Sequence, residues 1–138
     1  FLYCNILPVK EVLNVIDFQN GSVFKLKQDD IKNVQKVKDL FLIDGEDIFA
    51  SFVGIRDRVI FTTKRVIAIN VQGLTGKKKD FTSLPYSKIQ AFSVETAGQL
   101  DLDCELDLFF SGLGKVRFEF KSGVDIVALG KMISEYVL

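Results

Sequence analysis

The sequence predicts a mainly β fold with some α: a seven-stranded antiparallel barrel or sandwich capped by a C-terminal helix. Three observations carry this. Between Ile48 and Lys121, apolar and polar side chains alternate in seven short segments, the period-two pattern of strands with one buried face. Glycine- and proline-marked turns separate these segments at the short spacing of antiparallel neighbours, not the longer spacing of strand–helix–strand units. The last stretch, Val124–Leu138, returns to a helical period.

The elements follow in order. Within residues 12–27, Asn20-Gly21 lies between two apolar-rich arms. Both central positions of a type I′ turn need positive φ, so the pair signals a hairpin, with an irregular docking arm as the alternative. Over 29–42 the period changes. Ile31, Val34, Val37 or Lys38, and Phe41 recur at helical spacing, behind two N-cap candidates, Asp29 and Asp30. Asp44-Gly45 ends that short helix. Strands are then expected at 48–53, 55–62, 65–71, 81–84, 89–95, 104–110 and 116–121, with Thr63-Lys64 as a tight reversal and 73–79 as a polar loop. Pro85, Ala97-Gly98 and Gly112-Leu113-Gly114 mark the later turns. The final helix carries Ile126 or Val127, Leu129 or Gly130, Ile133, and Tyr136 or Val137 on one stripe, with Ser122 or Asp125 as its cap. Such a face must be buried, and the mouth of a small barrel is where it fits. Residues 1–44 thus supply an arm or hairpin and a short helix ahead of the domain at 45–138, the whole forming a single structural unit.

Composition narrows the function. Eighteen Lys and Arg balance 18 Asp and Glu, and binding nucleic acid through bulk charge needs a basic surplus that is lacking here. There is no histidine, which removes Ser–His–Asp and Cys–His triads, His-ligated zinc and the usual neutral-pH base. Cys4 and Cys104 have no C-x-x-C spacing, so no thiolate metal site, redox pair or secreted disulfide framework is expected; Cys104 reads as a small packed residue. Asp57 or Glu95 would suit an acid or base if buried, but no nucleophile or partner base accompanies them. The expectation is therefore no enzyme, no cofactor and no metal. Phe1–Val9 is apolar but meets Lys10 and Glu11, short of the roughly 20 residues of a membrane span and without a signal peptide's basic leader. The chain reads as soluble and cytoplasmic, and its first residue, Phe rather than Met, suits a piece of a longer product or a processed start.

Several strings point further. Gly45-Glu46, then Ile55-Arg56-Asp57-Arg58-Val59-Ile60-Phe61-Thr62-Thr63-Lys64-Arg65, resemble the bacterial pleckstrin-homology family. So do Gln72-Gly73-Leu74-Thr75-Gly76-Lys77-Lys78, Leu84-Pro85-Tyr86-Ser87-Lys88-Ile89, Phe92-Ser93-Val94-Glu95-Thr96-Ala97-Gly98 and Asp101-Leu102-Asp103-Cys104-Glu105-Leu106. The resemblance covers about residues 45–138. It implies the seven-strand, one-helix architecture and a homo-oligomeric, ring-like assembly; it carries over no enzyme activity and no ligand. Lipid-binding relatives take their basic ligands mainly from the first hairpin loop, where this chain offers only Arg56 beside Val53-Gly54-Ile55.

Two charged regions are candidate sites. Residues 56–79 hold Arg56, Arg58, Lys64, Arg65, Lys77, Lys78 and Lys79 against Asp57 alone. Arg65, Lys77, Lys78 and Lys79 are the candidate ligands for an anion or phosphate, with a solvated loop or a protein contact as the alternative. Only two residues separate Gly73 from Gly76, so this is not a P-loop. Surface lysines give about 1 kcal/mol each on anionic lipid, so membrane binding is expected to be weak. Residues 95–107 hold Glu95, Asp101, Asp103, Glu105 and Asp107 with no Lys or Arg. On an extended strand the last four share one face about 7 Å apart, too far for one Ca²⁺ or Mg²⁺ to gather them all. That face is expected to be polar and outward, with Leu102, Cys104, Leu106 and Leu108 inward. Opposite patches on a neutral chain suit a heterologous contact between copies, closing into a ring where the rotation allows. Arg56, Arg58, Asp101, Asp103 and Glu105 are the candidate oligomer contacts; mutual neutralisation within one subunit is the alternative. Arg56-Asp57-Arg58 with Thr62, Lys64 and Arg65 also reads as turn and ion-pair chemistry fixing a hairpin. Tyr86, behind Pro85, reads as a half-buried anchor with a satisfied hydroxyl.

Overall fold

A computed structural model describes residues 22–72, 78–96, 103–121 and 123–138. The strands are β1 (Ser22–Asp29), β2 (Ile48–Val53), β3 (Asp57–Thr62), β4 (Arg65–Gln72), β5 (Lys78–Pro85), β6 (Ile89–Glu95), β7 (Cys104–Phe110) and β8 (Gly114–Phe120). They form one sheet in the order β5-β4-β3-β2-β1-β8-β7-β6. Every neighbouring pair is antiparallel except β1 and β8, which run parallel. The sheet is therefore eight-stranded and mixed rather than seven-stranded and antiparallel.

The additional strand is β1, from the segment expected to be the second arm of a hairpin; the Asn20-Gly21 turn itself lies outside the described residues. β1 pairs with β8 through its first half and with β2 through its second. The change of partner occurs at a register shift between Val23 and Leu26, where Lys25 takes φ 53°. A bulge bends the strand enough to serve both halves of the sheet. Parallel pairing to a strand some ninety residues away leaves no local turn signal, which is why period and punctuation do not reveal it.

Among the described residues the outer strands β5 and β6 each have one ladder partner, so the barrel is not closed by strand pairing. The C-terminal helix α2 (Ile126–Val137; α1, Gln35–Phe41, precedes β2) packs against β6, β7 and the 3-10 turn Tyr86–Lys88. It buries Ile126, Leu129, Gly130 and Ile133 of the stripe the sequence marks out, and Met132 beside them, while Tyr136 at the stripe's end stays exposed. Asp125 caps it by accepting from the Ala128 N–H at 3.0 Å. The inner core is aromatic: Phe52 lies edge-on to Phe61 and Phe120, and Phe61 to Phe118, with ring centroids 5.7, 4.8 and 5.9 Å apart.

β3 and β4 are buried on both faces because a second layer covers their outside. The 3-10 turn Ile31–Val34 and helix α1 (Gln35–Phe41) set Val34 and Val37 on Ile60, Ile67 and Ile69. Asp30 caps this element through the Lys32 N–H at 2.9 Å. Its companion Asp29 instead reaches Arg58. β5 begins earlier than the expected 81–84, because β4 continues to Gln72 and draws Lys78 and Lys79 into its ladder. Two exposed lysines are well suited to a sheet edge.

Candidate functional site

Three of the strings that carry the family resemblance, those holding Gly45-Glu46, Thr62 with Arg65, and Tyr86, meet in one buried cluster. Gly45, at φ 82°, turns the chain after α1 and delivers Glu46 inward. The Glu46 side chain is 1% exposed. Its carboxylate accepts from the Ile43 N–H at 3.1 Å, the Thr62 hydroxyl at 2.6 Å, Arg65 Nε at 2.9 Å and Arg65 Nη2 at 3.1 Å. Two of the three remaining N–H donors of Arg65 go to the Phe41 carbonyl at 2.6 Å and Ser83 Oγ at 3.0 Å. Thr62 Oγ1 in turn accepts from the Lys64 and Arg65 N–H groups, which tightens the reversal between β3 and β4. Tyr86 is deeper than half-buried, at 1% exposure, and its hydroxyl donates to the Thr62 carbonyl at 2.7 Å. The Glu46–Arg65 pair thus ties the end of α1, the start of β2, the β3–β4 turn and β5 together, and Tyr86 adds the helix-capped end.

Electrostatics follow this geometry. Burial by itself pushes the Glu46 carboxyl up, but the hydrogen bonds from Arg65, Thr62 and Ile43 together outweigh it and hold the group below the ordinary glutamate value. Burial, then the charge of Glu46, pushes the Tyr86 hydroxyl up. A permanently charged guanidinium, with its fork matched to a carboxylate, suits such a pair better than a lysine would.

Among the described candidate anion ligands, Arg65 stands apart from Lys78 and Lys79. Arg65 opens β4 opposite Pro85, whereas Lys78 stands opposite Gln72 at the far end of the same ladder. Seven residue steps at about 3.3 Å separate them by about 23 Å. Lys78 and Lys79 are exposed on the edge strand. Lys77 lies outside the described residues, as does most of the loop expected to wrap a phosphate.

The oligomer-contact candidates divide between the two halves of the sheet. Arg56 is exposed in the β2–β3 loop. Arg58 is held by Asp29 at 2.6 Å and Ser51 Oγ at 3.1 Å, and this bond chiefly lowers the Asp29 carboxyl. Asp103 is exposed ahead of β7, and Asp101 lies outside the described residues. Glu105 faces Arg117 at 3.1 Å, and Arg117 also clamps Asp107 with two hydrogen bonds at 2.9 and 3.1 Å. Across the strands Glu95, Glu105 and Glu119 fall in one row. Burial, then Glu105, pushes the Glu119 carboxyl up. Cys104, Leu106 and Leu108 point into the core, and burial raises the Cys104 thiol.

Among the described residues every ion pair stays within one half: Arg58–Asp29 and Arg65–Glu46 on one side, Arg117 with Glu105 and Asp107 on the other. Residue-by-residue reasoning misses Glu46, Asp29 and Arg117. Glu46 is signalled only by its place in the resemblance, and the other two only by strand register.

The comparisons agree with the geometry. Residues 17–137 match the family described as Bacterial PH domain. The Bacillus subtilis protein YjqA, itself uncharacterized, is 45% identical over 95 residues, covering 67% of this chain and 76% of its own. A crystal structure of a protein with a pleckstrin-homology domain from Shewanella loihica superimposes with a TM-score of 0.71 at 36% identity, covering 86% of this chain and 100% of that one. A pleckstrin homology domain from Shewanella amazonensis gives a TM-score of 0.60, also at 36% identity, over 95% of this chain and 99% of its own.

Proposed function

Because the chain belongs to the bacterial PH domain family, we propose that it is a non-enzymatic interaction module that self-associates and offers a further surface to a protein partner. One observation carries this reading: the outer strands at the two ends of the sheet differ in charge, although exposed Lys88, Lys115 and Lys121 interrupt the acidic side and exposed Asp47 the basic one. Exposed Lys64, Lys78 and Lys79 belong to the β3–β5 end, and exposed Glu95 and Asp103 to the β6–β7 end, while the ion pairs among the described residues never join the two. Such a surface favours a contact in which one copy's basic end meets the next copy's acidic end, a heterologous geometry that closes into a ring where the rotation allows.

Native mass spectrometry and light scattering test it. A discrete oligomer is expected at low salt. It should lose mass in 1 M salt, where the screening length falls to about 3 Å, and in the Asp103→Lys variant. A monomer at both salt concentrations overturns the reading. The alternative, weak binding of anionic lipid or phosphate, draws support from the adjacent exposed pair Lys78 and Lys79 but not from Arg65, most of whose donors are engaged by Glu46, Phe41 and Ser83. Sedimentation with acidic vesicles, lost in Lys78→Glu, is its signature.

A further inference from the structure

The outer face of the β3–β5 end carries a groove of about 430 Å³ that the charge-segregation argument does not use. Ile69 and Phe81 are among the residues of its floor, Val37 and Leu40 of α1 make one wall, and Ile55 in the β2–β3 loop makes the other. Its size falls within the range of real binding clefts, about 300–1,000 Å³. Its apolar lining is not merely the edge of a core. Ile55 is 95% exposed and Leu40 74%. Phe41 and Phe81, with ring centroids 4.5 Å apart, extend the same apolar surface. Large side chains left in water side by side around a concave floor mark a contact surface.

The rim decides what kind of contact. Lys36, Arg56 and Lys79 border the groove from three different elements, α1, the β2–β3 loop and β5. Arg58 lies there too but is held by Asp29. Asp57 is the one carboxylate among the lining residues described, and Arg56 stands beside it. An apolar trough bordered by cations complements a segment with the reverse pattern. We propose that this groove docks a short amphipathic segment of a partner protein, its leucine-like face in the trough and its carboxylates against Lys36 and Lys79. This rests on the interaction-module reading and names the partner's chemistry. It does not need self-association.

The probe is a fluorescently labelled synthetic peptide with leucines at i, i+3, i+4 and i+7 flanked by glutamates. Its controls are an isomer with the leucines scattered and an analogue with lysine in place of glutamate. Anisotropy is read on the intact chain and on Ile55→Asp and Lys36→Glu, both changes at exposed positions that leave the core untouched. The glutamate peptide should bind at least about tenfold tighter than either control, and each variant should weaken it about fivefold or more, since a few central anchors dominate such contacts. Equal binding of all three peptides, or undiminished binding to both variants, overturns the proposal. So does a fall in oligomer mass in these two variants, which would assign the groove to a second copy. A monomeric wild type that still binds the peptide keeps the groove while self-association falls.

Discussion

Glu46→Ala asks whether the cluster at the heart of the family pattern holds the fold. The carboxylate accepts four hydrogen bonds, two of them from Arg65. Removing it leaves the guanidinium with the Phe41 carbonyl and Ser83 as partners, and takes the acceptor at 2.6 Å from the Thr62 hydroxyl. Breaking a buried ion pair from one side costs about 3–5 kcal/mol, because the other charge stays behind unpaired. Arg65 keeps 21% of its side chain in water, against 1% for Glu46, so part of that cost is relieved and about 3 kcal/mol is expected. For a chain of 138 residues, at about 3 °C per kcal/mol, the melting temperature should fall by about 9 °C. Urea unfolding followed by circular dichroism and tyrosine emission reads it, as the chain has three tyrosines and no tryptophan. In an Arg65→Met background Glu46 is itself the buried charge left without its partner, so the same substitution should cost nothing or stabilise. A Glu46→Ala cost under about 1 kcal/mol, or strict additivity in the double mutant, would refute the reasoning. The pH dependence gives an independent check. The Glu46 carboxyl lies below its ordinary 4.5 in the folded chain, so its ionised form stabilises the fold. That stability is complete above about pH 4.5 and is lost as pH falls through the lower folded value. Wild type should therefore lose stability in acid more steeply than Glu46→Gln.

Three other substitutions probe neighbouring features. Tyr86→Phe deletes the hydrogen bond to the Thr62 carbonyl and leaves that buried acceptor short of a partner, for a loss of about 1 kcal/mol in urea unfolding. Glu119→Gln removes a carboxylate whose ionisation is disfavoured first by burial and then by Glu105, so it should stabilise by about 0.5 kcal/mol at pH 7. Because the folded value is raised, wild type gains stability relative to this variant as pH falls through the carboxylate range, the reverse of Glu46. Gly130→Leu forces a side chain where even a Cβ would stand 3.3 Å from Val94, so α2 should lift from β6 with a loss of about 1–3 kcal/mol, despite better helix propensity.

What the sequence discloses follows from how far each signal reaches. Period and turn residues are local, so β2 through β8 and both helices stand close to where alternation places them. The Asp125 cap and the buried stripe of α2 are legible because cap and stripe lie within one segment. β1 is not, since its parallel partner is distant in sequence and its pattern breaks at Lys25. The double burial of β3 and β4 was written in Ile60, Ile67 and Ile69, whose apolarity on the outward face has no reason until α1 lies over them. Tyr86 was placed too shallow because Pro85 announces a turn, and turns usually lie at the surface, whereas the covering helix comes from the chain's far end.

The site followed a different rule. A count of charges sees Arg65 as one of seven cations in a basic segment, but register puts it about 23 Å from Lys78 and against a glutamate nineteen positions earlier. The same count treats Glu105 and Asp107 as surface acid, whereas Arg117 on the adjacent strand takes up both. Pairing within each half removes Arg65, Arg58, Glu105 and Asp107 from any intermolecular ledger. The exposed charges that remain are fewer: Lys64, Lys78 and Lys79 at one end, Glu95 and Asp103 at the other, with Lys88, Lys115 and Lys121 mixed among the latter. Surface ion pairs are individually worth little, about 0–1 kcal/mol. Any association these ends direct should therefore be set in orientation by charge and held by apolar contact.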